Sequence, residues 1–347
     1  MAKARLAVIG LGMIGKLHAD TLRKIGELEF VAVSDIDEKH RKTAENLGVK
    51  YYVSYEEMIA KEKLDGVVAA VPNNLHLPVG KTCLDKGLHV LLEKPIAASL
   101  ADADALCAAA KKNGVHLIVG HHRRHNPYII ALRDAVRGGA IGKLIGVNVI
   151  WAILKPADYF KGPFAWRTKK GGGPILINVI HEIDNLRYIC GDITRLYAEI
   201  SSGARKFDVE DSIAISLRLE NDAMATIFFT DSAPGNVAYE TNTGENLFFY
   251  HAQKTCYHYF GTEGTIDFPQ LRKTFFANPA KAGWQYPLDE TGLKVDREDP
   301  YERQLRHFGR LIQGKEQAIC SGEDARKTLQ VTLAVEESGE TGKPVVF

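Results

Sequence analysis

The sequence has few cysteines, and they form no recognisable motif. Its 347 residues include five cysteines that are scattered and contain no C-x-x-C pair. A disulfide framework and a zinc ribbon are therefore both unexpected. Free thiols of this kind are typical of a reducing compartment, so we expect a cytoplasmic protein.

Long hydrophobic runs and an excess of one charge are also missing. The apolar stretch Leu6–Ile9 gives way at once to glycines, whereas a membrane helix needs roughly 20 apolar residues. No cleavable leader is recognisable either. The formal net charge of +1 predicts no broad surface for nucleic acid or for an anionic membrane. We therefore expect a soluble protein whose partner is a small-molecule substrate.

A glycine-rich turn follows the first strand. The buried strand predicted at Arg5–Ile9 runs directly into a G-x-G-x-x-G sequence and then into a helical pattern. In this context the glycines allow a tight turn, close approach of a pyrophosphate and close packing of helix on strand. The residues expected to bind the phosphates of a dinucleotide are Gly10, Gly12, Met13, Ile14 and Gly15.

An acidic residue ends the second predicted strand. Asp35 lies twenty residues after Gly15, where a carboxylate can accept both ribose hydroxyls of an adenosine. Its charge would repel a 2′-phosphate, so NAD is favoured over NADP. The nearby Lys39, Arg41 and Lys42 leave NADP open, and Asp35 could instead cap a helix.

Polar and charged side chains also follow two later strands, predicted at Asp65–Val71 and His89–Leu92. The apolar run His89–Leu92 stops at Glu93, Lys94 and Pro95, and ligands of open parallel sheets lie beyond the carboxyl ends of the strands. Lys94 could therefore reach bound substrate, although a charged pair can simply solubilise a turn. The cofactor-binding residues expected after these two strands are Pro72, Asn73, His76, Glu93 and Lys94.

The pattern changes near residue 123. Before it, strands and helices alternate, which predicts a parallel sheet; after it, strands follow one another with few helices, which predicts an antiparallel sheet. We therefore expect an α/β protein with an N-terminal Rossmann dinucleotide-binding domain, residues 1–122. A C-terminal α+β domain, residues 123–347, would contain an open, mostly antiparallel sheet. Whether the C-terminal helices pack back on the first domain stays open.

One helix of the second domain carries several polar residues. A continuous helix is predicted over 175–190, with Asn178, His181 and Asp184 on one face among apolar neighbours. These polar groups would face a cleft, with His181 as general base, or else form a solvated stripe. Upstream, an irregular, aromatic and basic loop contains Lys155, Tyr159, Trp166 and Arg167. Such a loop is suited to a sugar, although Trp166 could equally be packing.

The histidines after the sixth strand complete the candidate site. His121, His122 and His125 are close in sequence but have no cysteine or carboxylate at ligand spacing, so we expect a polar lining and no metal. The residues expected to bind substrate are Lys94, His122, Arg123, Tyr159, Trp166, Arg167, Asn178, His181 and Asp184.

Taken together, these motifs resemble those of the glucose-fructose oxidoreductase/inositol dehydrogenase (Gfo/Idh/MocA) family of NAD(P)-dependent oxidoreductases. The resemblance covers nearly the full length. The segments that carry it are Gly10–Gly15, Val71–His76, Glu93–Pro95, Arg123–Arg124, Trp166–Arg167 and the glycines 171–173 ahead of His181. It implies a Rossmann domain followed by an open sheet, assembly as dimers or tetramers through that sheet, a catalytic Lys94 and a catalytic His181.

The resemblance implies an NAD-dependent dehydrogenase that oxidises a secondary alcohol of a sugar, polyol or related cyclic diol. Two alternatives within the family are an NAD-dependent glycosidase and a regulator that senses its ligand without turnover. Many polyol dehydrogenases of the family carry an aspartate four residues before the histidine, and here that position is Ile177. Asn178 is the candidate to replace it.

Overall fold

The computed structural model describes residues 2–347. By its internal contacts the chain forms two units. The first contains the residues up to Asn126 together with Glu298–Leu329, and the second contains Pro127–Arg297 together with Gln330–Phe347. The sequence had placed a boundary after residue 122 and left the position of the C-terminal helices open.

The first unit contains a six-stranded parallel sheet in the order β3-β2-β1-β4-β5-β6. Its strands are short and apolar on both faces, as expected for a sheet covered by helices on both sides. This confirms the predicted Rossmann architecture. The strands are β1 (Ala4–Ile9), β2 (Leu28–Ser34), β3 (Lys50–Tyr52), β4 (Gly66–Ala69), β5 (His89–Leu92) and β6 (Leu117–Val119). The helices between them are α1 (Met13–Leu22), α2 (Arg41–Leu47), α3 (Tyr55–Lys61), α4 (His76–Asp85) and α5 (Leu100–Asn113).

A late helix completes the core of the first unit. Helix α9 (Pro300–Ile312) contributes Leu305, Phe308 and Leu311 to the core around β1 and β2. The approach is close, because a Cβ on Gly309 would lie 2.2 Å from a methyl group of Leu28. The first Rossmann strands are therefore covered by a helix that follows them by more than 250 residues of chain.

The second unit is organised on a ten-stranded sheet in the order β15-β14-β13-β12-β7-β10-β9-β8-β16, with β11 paired to β7. Neighbouring strands are antiparallel except β7 and β10, which are parallel. The predicted open, mostly antiparallel sheet is confirmed. Its strands are β7 (Leu144–Leu154), β8 (Ile193–Ser201), β9 (Ser212–Leu219), β10 (Met224–Thr230), β11 (Ser232–Val237), β12 (Tyr257–Gly261), β13 (Thr265–Phe268), β14 (Arg272–Phe275), β15 (Asp289–Gly292) and β16 (Val345–Val346). The helices are α6 (Pro127–Arg137), α7 (Ile180–Cys190), α8 (Tyr239–Thr243) and α10 (Gly322–Thr341), and the division between the units falls inside α10.

The two faces of this sheet differ. Along β7, Val147, Val149 and Trp151 point into the core of the unit, as the period of two in a strand requires. The opposite face carries large apolar side chains that are about half exposed, namely Met224, Phe228 and Phe260. An exposed apolar sheet face of this kind is typical of a surface that binds a partner.

The predicted helix over 175–190 begins differently from the prediction. Its first turn, Ile175–Val179, is a π-helix, and the α-helix starts at Ile180. The α-helical offsets used to place Asn178 and His181 on one face therefore do not apply across this turn. Isolated π turns inside helices are frequently found at functional sites.

Several short elements were not predicted. The strands β3, β11, β14 and β15 and helix α8 were missed; β15, for example, is exposed at every position. Such polar edge strands lack the apolar alternation on which strand prediction depends. All five cysteines are free thiols, four of them buried. Among the described helices, none is both long and apolar enough to cross a membrane.

Candidate active site

The glycine turn has the geometry of a phosphate-binding loop. Gly10 has a φ of +87°, and a Cβ there would lie 2.4 Å from the carbonyl oxygen of Ala70. A Cβ on Gly15 would lie 1.9 Å from the carbonyl oxygen of Gly10. At Gly12, by contrast, no atom of residues 2–347 outside its immediate neighbours lies within 4 Å of such a Cβ. Folding thus requires the outer glycines, whereas the middle one leaves open space where a ligand's phosphates would fit.

Helix α1 begins at this turn. Gly12 is its N-cap, and within the described chain no side chain caps its first amides. Met13 is exposed and Ile14 is partly buried. Uncapped amides and the positive end of the helix dipole favour an anion, so these residues fit the pyrophosphate of a dinucleotide.

Asp35 is oriented by two backbone amides. Its Oδ2 accepts a hydrogen bond from the N–H of Leu11 at 2.6 Å, and its Oδ1 accepts one from the N–H of Asp37 at 2.8 Å. The helix-capping role that was an alternative for Asp35 belongs instead to Asp37, which accepts from the N–H of Lys39. Each carboxylate oxygen of Asp35 still has capacity for a ribose hydroxyl.

The cations near Asp35 are all paired locally. Their nitrogens lie 2.5, 3.6 and 3.1 Å from carboxylate oxygens of the same segment, in the pairs Lys39–Asp37, Arg41–Glu38 and Lys42–Glu45. The side chain of Arg41 also lies over the ring of Tyr51. These interactions engage the positive charges that could otherwise bind a 2′-phosphate.

His76 links the segments that follow β4 and β5. It is fully buried, with Nδ1 2.7 Å from the carbonyl oxygen of Pro95 and Nε2 3.0 Å from that of Val71. Burial lowers the pKa of His76, although the two carbonyl contacts, which a doubly protonated ring would satisfy together, oppose this shift. Pro72 and Asn73, which begin the short 3₁₀ turn Asn73–Leu75, are thereby held near the chain after Lys94.

Glu93 is fixed by a buried histidine. His18, which is fully buried on α1, places its Nε2 2.8 Å from Oε1 of Glu93. Burial alone would raise the pKa of Glu93, but the hydrogen bond with His18 and the charges of His18, Lys94 and His122 outweigh it and lower that pKa. Gly120 makes room, since a Cβ there would lie 2.7 Å from the same oxygen. A carboxylate is thus held in the ionised form directly beside Lys94.

The backbone at Lys94 is held as well. The N–H of Glu93 donates to the carbonyl oxygen of Ala69 at 3.0 Å, and the N–H of Lys94 lies 3.3 Å from Oε2 of Glu93. Lys94 therefore starts from a rigid point at the end of β5.

Tyr301 of α9 connects two of the histidines. Its ring meets His18 edge-on, with centroids 5.6 Å apart, and stacks on His122 at 4.5 Å. Arg123 and Arg124, which follow His122 in sequence, are both buried, and Arg124 pairs with Asp324. Sequence analysis missed His18 and Tyr301. His18 lies on the inner face of α1 and could have been noticed, because a buried imidazole needs a hydrogen-bond partner. No pattern in the sequence pointed to Tyr301.

The polar residues of α7 are buried. His181 is 8 % exposed, Asp184 1 % and Asn185 2 %. The alternative of a solvated polar stripe is therefore wrong. Buried polar groups need hydrogen-bond partners or a function, and these lie on a helix surrounded by the core of the second unit.

The π turn before α7 is fixed by an acid. The N–H of Ile175 donates to Oε1 of Glu210 at 2.8 Å, and a Cβ on Gly173 would lie 2.6 Å from that oxygen. Burial raises the pKa of Glu210. Gly173 thus allows Glu210 to pack closely against the chain before Pro174.

Lys155 was predicted only as part of a basic loop, and in the structure its side chain is buried. Its Nζ lies 2.7 Å from Oδ1 of Asn178 and 3.1 Å from Oδ2 of Asp231. It also lies over the ring of Tyr159, 4.9 Å from the centroid. Burial lowers the pKa of Lys155, and Asp231 partly opposes this shift.

The predicted aromatic and basic segment is one cluster. The guanidinium of Arg167 lies over the ring of Tyr159 at 3.9 Å and over that of Phe164 at 4.5 Å. It also donates to the carbonyl oxygen of Tyr159 at 3.1 Å. Trp166 is about half exposed. Tyr159 therefore connects Arg167 to Lys155 and, through Lys155, to Asn178.

Comparison with protein families accounts for both units. Residues 4–121 match the family model described as "Oxidoreductase family, NAD-binding Rossmann fold", and residues 129–267 match the "GFO/IDH/MocA C-terminal domain". The chain belongs to the GFO/IDH/MocA family. Its first unit is an NAD-binding Rossmann domain, and the protein is an oxidoreductase, as the sequence predicted.

Individual members of the family are similar over most of the chain. The 1,5-anhydro-D-fructose reductase of Ensifer adhaerens is 31% identical over 85% of this chain and 83% of its own. The myo-inositol 2-dehydrogenase of Thermotoga maritima is 27% identical over 98% of both chains. An oxidoreductase of Agrobacterium radiobacter, solved with NAD+, L-tartaric acid and magnesium, superposes with a TM-score of 0.82 at 21% identity, over 99% of this chain and 98% of that one.

Proposed function

We propose that this GFO/IDH/MocA protein is an NAD-dependent dehydrogenase that oxidises a secondary alcohol of a sugar, polyol or related cyclic diol. The observation that carries the proposal is the placement of Lys94, an amine at the end of β5 beside a carboxylate that His18 keeps ionised. The names of the inositol dehydrogenase and anhydrofructose reductase relatives support a substrate rich in hydroxyl groups.

In the mechanism, Lys94 and His181 act on one alcohol group. His181 takes the proton of the hydroxyl as general base, and Lys94 donates to the same oxygen and stabilises its developing negative charge. Bound NAD supplies the acceptor for the hydride that leaves the carbon. Gly10, Gly12 and Gly15 would hold its pyrophosphate, and Asp35 would accept hydrogen bonds from its adenosine ribose.

The experiment is formation of NADH from NAD with a panel of sugars, inositols and cyclic diols. His181→Ala should lower kcat by about 100- to 10,000-fold, with little change in NAD affinity. Lys94→Ala should lower kcat as well, and Lys94→Arg should rescue it poorly because a planar guanidinium differs in shape from a compact ammonium. His258→Ala, on β12, is the matched control and should be near normal.

Two outcomes would contradict the proposal. A near-normal kcat in His181→Ala would remove the general base from the mechanism. Cleavage of a glycoside without net NADH would favour the glycosidase alternative, because the cofactor is then restored in every cycle.

A further inference from the structure

Asn178 lies three residues before His181 and has one polar contact. Its Oδ1 accepts from Nζ of Lys155 at 2.7 Å. An ammonium group is a donor only, so the oxygen of the amide must face Lys155, and the choice between oxygen and nitrogen is set by chemistry. The NH₂ group of Asn178 is consequently turned away from Lys155.

Lys155 cannot easily release this amide. Its Nζ is 3.1 Å from Oδ2 of Asp231, and the two side chains are only 8 % and 2 % exposed. The backbone is held too, because the N–H of Lys155 donates to the carbonyl oxygen of Asp231 at 2.9 Å. The rings of Trp151, Tyr159 and Phe229 lie within 6 Å of the ammonium group and restrict its other directions.

Asp231 is itself fixed by a second cation. Nε of Arg205 lies 2.9 Å from Oδ1 of Asp231, and the same guanidinium donates to the carbonyl oxygen of Lys155 at 3.0 Å. The ammonium of Lys155 therefore sits in a network that connects the ends of β7 and β10 with the loop before β9. Buried ionic networks of this kind hold their members in one geometry.

The remaining polar group of Asn178 is a donor. Within residues 2–347 its Nδ2 makes no hydrogen bond, and the residue is only partly buried. We propose that Lys155 is a positioning residue that makes Asn178 present an NH₂ group to the substrate, so that the enzyme can bind a sugar derivative that carries an acceptor-only oxygen, a carbonyl or carboxylate, near the alcohol that reacts. The proposal rests on the proposed function, which brings the substrate to His181.

The physical basis is the number of donors and acceptors. An aspartate accepts hydrogen bonds from substrate hydroxyls but repels a carboxylate and leaves a carbonyl without a donor. The amide of Asn178 removes this penalty, because its NH₂ group donates to a carbonyl or carboxylate oxygen and can also donate to the oxygen of a hydroxyl. An aspartate that leaves a carbonyl without a donor discriminates strongly against that ligand.

The experiment uses myo-inositol and 2-keto-myo-inositol, which differ by one hydroxyl against one carbonyl, and quinate as the carboxylate. Dissociation constants are measured by calorimetry with the enzyme and NADH, and oxidation is measured with NAD. Wild type should bind the keto compound or quinate at least as tightly as myo-inositol. Asn178→Asp should shift that ratio toward myo-inositol by about ten- to a hundred-fold.

A direct readout follows the amide itself. The side-chain NH₂ signals of Asn178, assigned by their loss in Asn178→Asp, should move in ¹H–¹⁵N spectra of Lys155→Met. The control Lys161→Met, an exposed lysine paired with Asp158, should leave them in place. If Lys155→Met does not fold, Asn178→Asp still tests the proposal, because aspartate retains a partner for Lys155.

The outcomes separate this inference from the proposed function. Absence of NADH formation from every alcohol contradicts the proposed function, while the binding ratio still tests the amide. An unchanged ratio in Asn178→Asp, tighter wild-type binding of myo-inositol than of both acceptor ligands, or failure of all three probes to bind overturns the inference even if the enzyme oxidises alcohols.

Discussion

The two units stabilise a buried carboxylate at the end of a strand in different ways. After β5, Glu93 has a histidine, His18, as its side-chain partner. After β10, Asp231 lies between the side chains of Lys155 and Arg205. A histidine can accept or release a proton near neutral pH, whereas a buried ion pair is strongly destabilised when one of its partners is removed. The buried carboxylate of the first unit thus has a partner whose charge can change, whereas the buried carboxylate of the second unit has two ionic partners.

The largest effect should come from removing the counter-charge in the second unit. Asp231→Asn leaves Lys155 and Arg205 buried without a carboxylate, which should cost about 3–5 kcal/mol in the free energy of unfolding. Glu93→Gln should cost only about 1 kcal/mol, because His18 can remain neutral and still share a hydrogen bond. Urea denaturation measures both.

Asp222→Asn is the control for that comparison. Its exposed carboxylate pairs with Arg218, and surface pairs contribute at most about 1 kcal/mol. Equal losses in Asp231→Asn and Glu93→Gln would show that the two carboxylates are stabilised alike.

Cofactor preference should depend on the first unit alone. Asp35 should favour NAD over NADP by about 1–3 kcal/mol, through a lost hydrogen bond and charge repulsion with a 2′-phosphate. Asp35→Ser should narrow the ratio of kcat/KM for the two cofactors, with little change in KM for the alcohol. Asp20→Ser, at an exposed acid on α1, should leave the ratio unchanged. A wild-type preference for NADP would refute the assignment.

Acid should destabilise the first unit before the second. Burial lowers the pKa of four histidines of the first unit, His76, His89, His125 and His307. The unfolded chain then binds protons more readily, so stability present above about pH 6.5 is lost as pH falls below that value. Glu210 of the second unit has a raised pKa, so the folded state is protonated first and gains stability as pH falls through that pKa.

Tryptophan fluorescence can separate these two responses. All three tryptophans, Trp151, Trp166 and Trp284, lie in the second unit, while far-ultraviolet circular dichroism reports on both units. On acidification from pH 7, the circular dichroism transition should begin at a higher pH than the fluorescence transition. Coincident transitions, or a fluorescence change that comes first, would contradict the difference between the units.

Association of subunits should depend on the second unit, and its disruption should have the smallest effect on folding. Because one face of its sheet exposes Met224, Phe228 and Phe260, we expect a dimer or tetramer formed through this face. Phe228→Lys should lower the mass measured by light scattering at micromolar concentration. Leu247→Lys, at an exposed apolar residue outside the sheet, should not. A monomeric wild type would contradict the prediction.

The units also differ in how far their sequence predicted them. In the first, apolar runs and the spacing of Gly10, Gly12 and Gly15 are local signals, so the parallel sheet and the turn were predictable. The contact between His18 and Glu93 joins residues 75 positions apart, and no local pattern contains it. The position of α9 depends in the same way on long-range packing.

In the second unit the errors arise from rules that hold on average. Applying 3.6 residues per turn to 175–190 missed the π turn, which depends on Glu210 accepting the N–H of Ile175. Charged residues are usually exposed, so Lys155 was read as part of a loop. Its burial depends on Asp231 and Asn178, which only the folded chain brings to it.

The discontinuity of the first unit bears on how the protein is made. Protein synthesis runs from the N-terminus, and domains tend to fold as units in that order. Here Leu305, Phe308 and Leu311 belong to the same core as Leu6 and Val8, so a nascent chain that has emerged only to Asn126 leaves that core uncovered. The core of the first unit can therefore be completed only after the whole of Pro127–Arg297 has been translated.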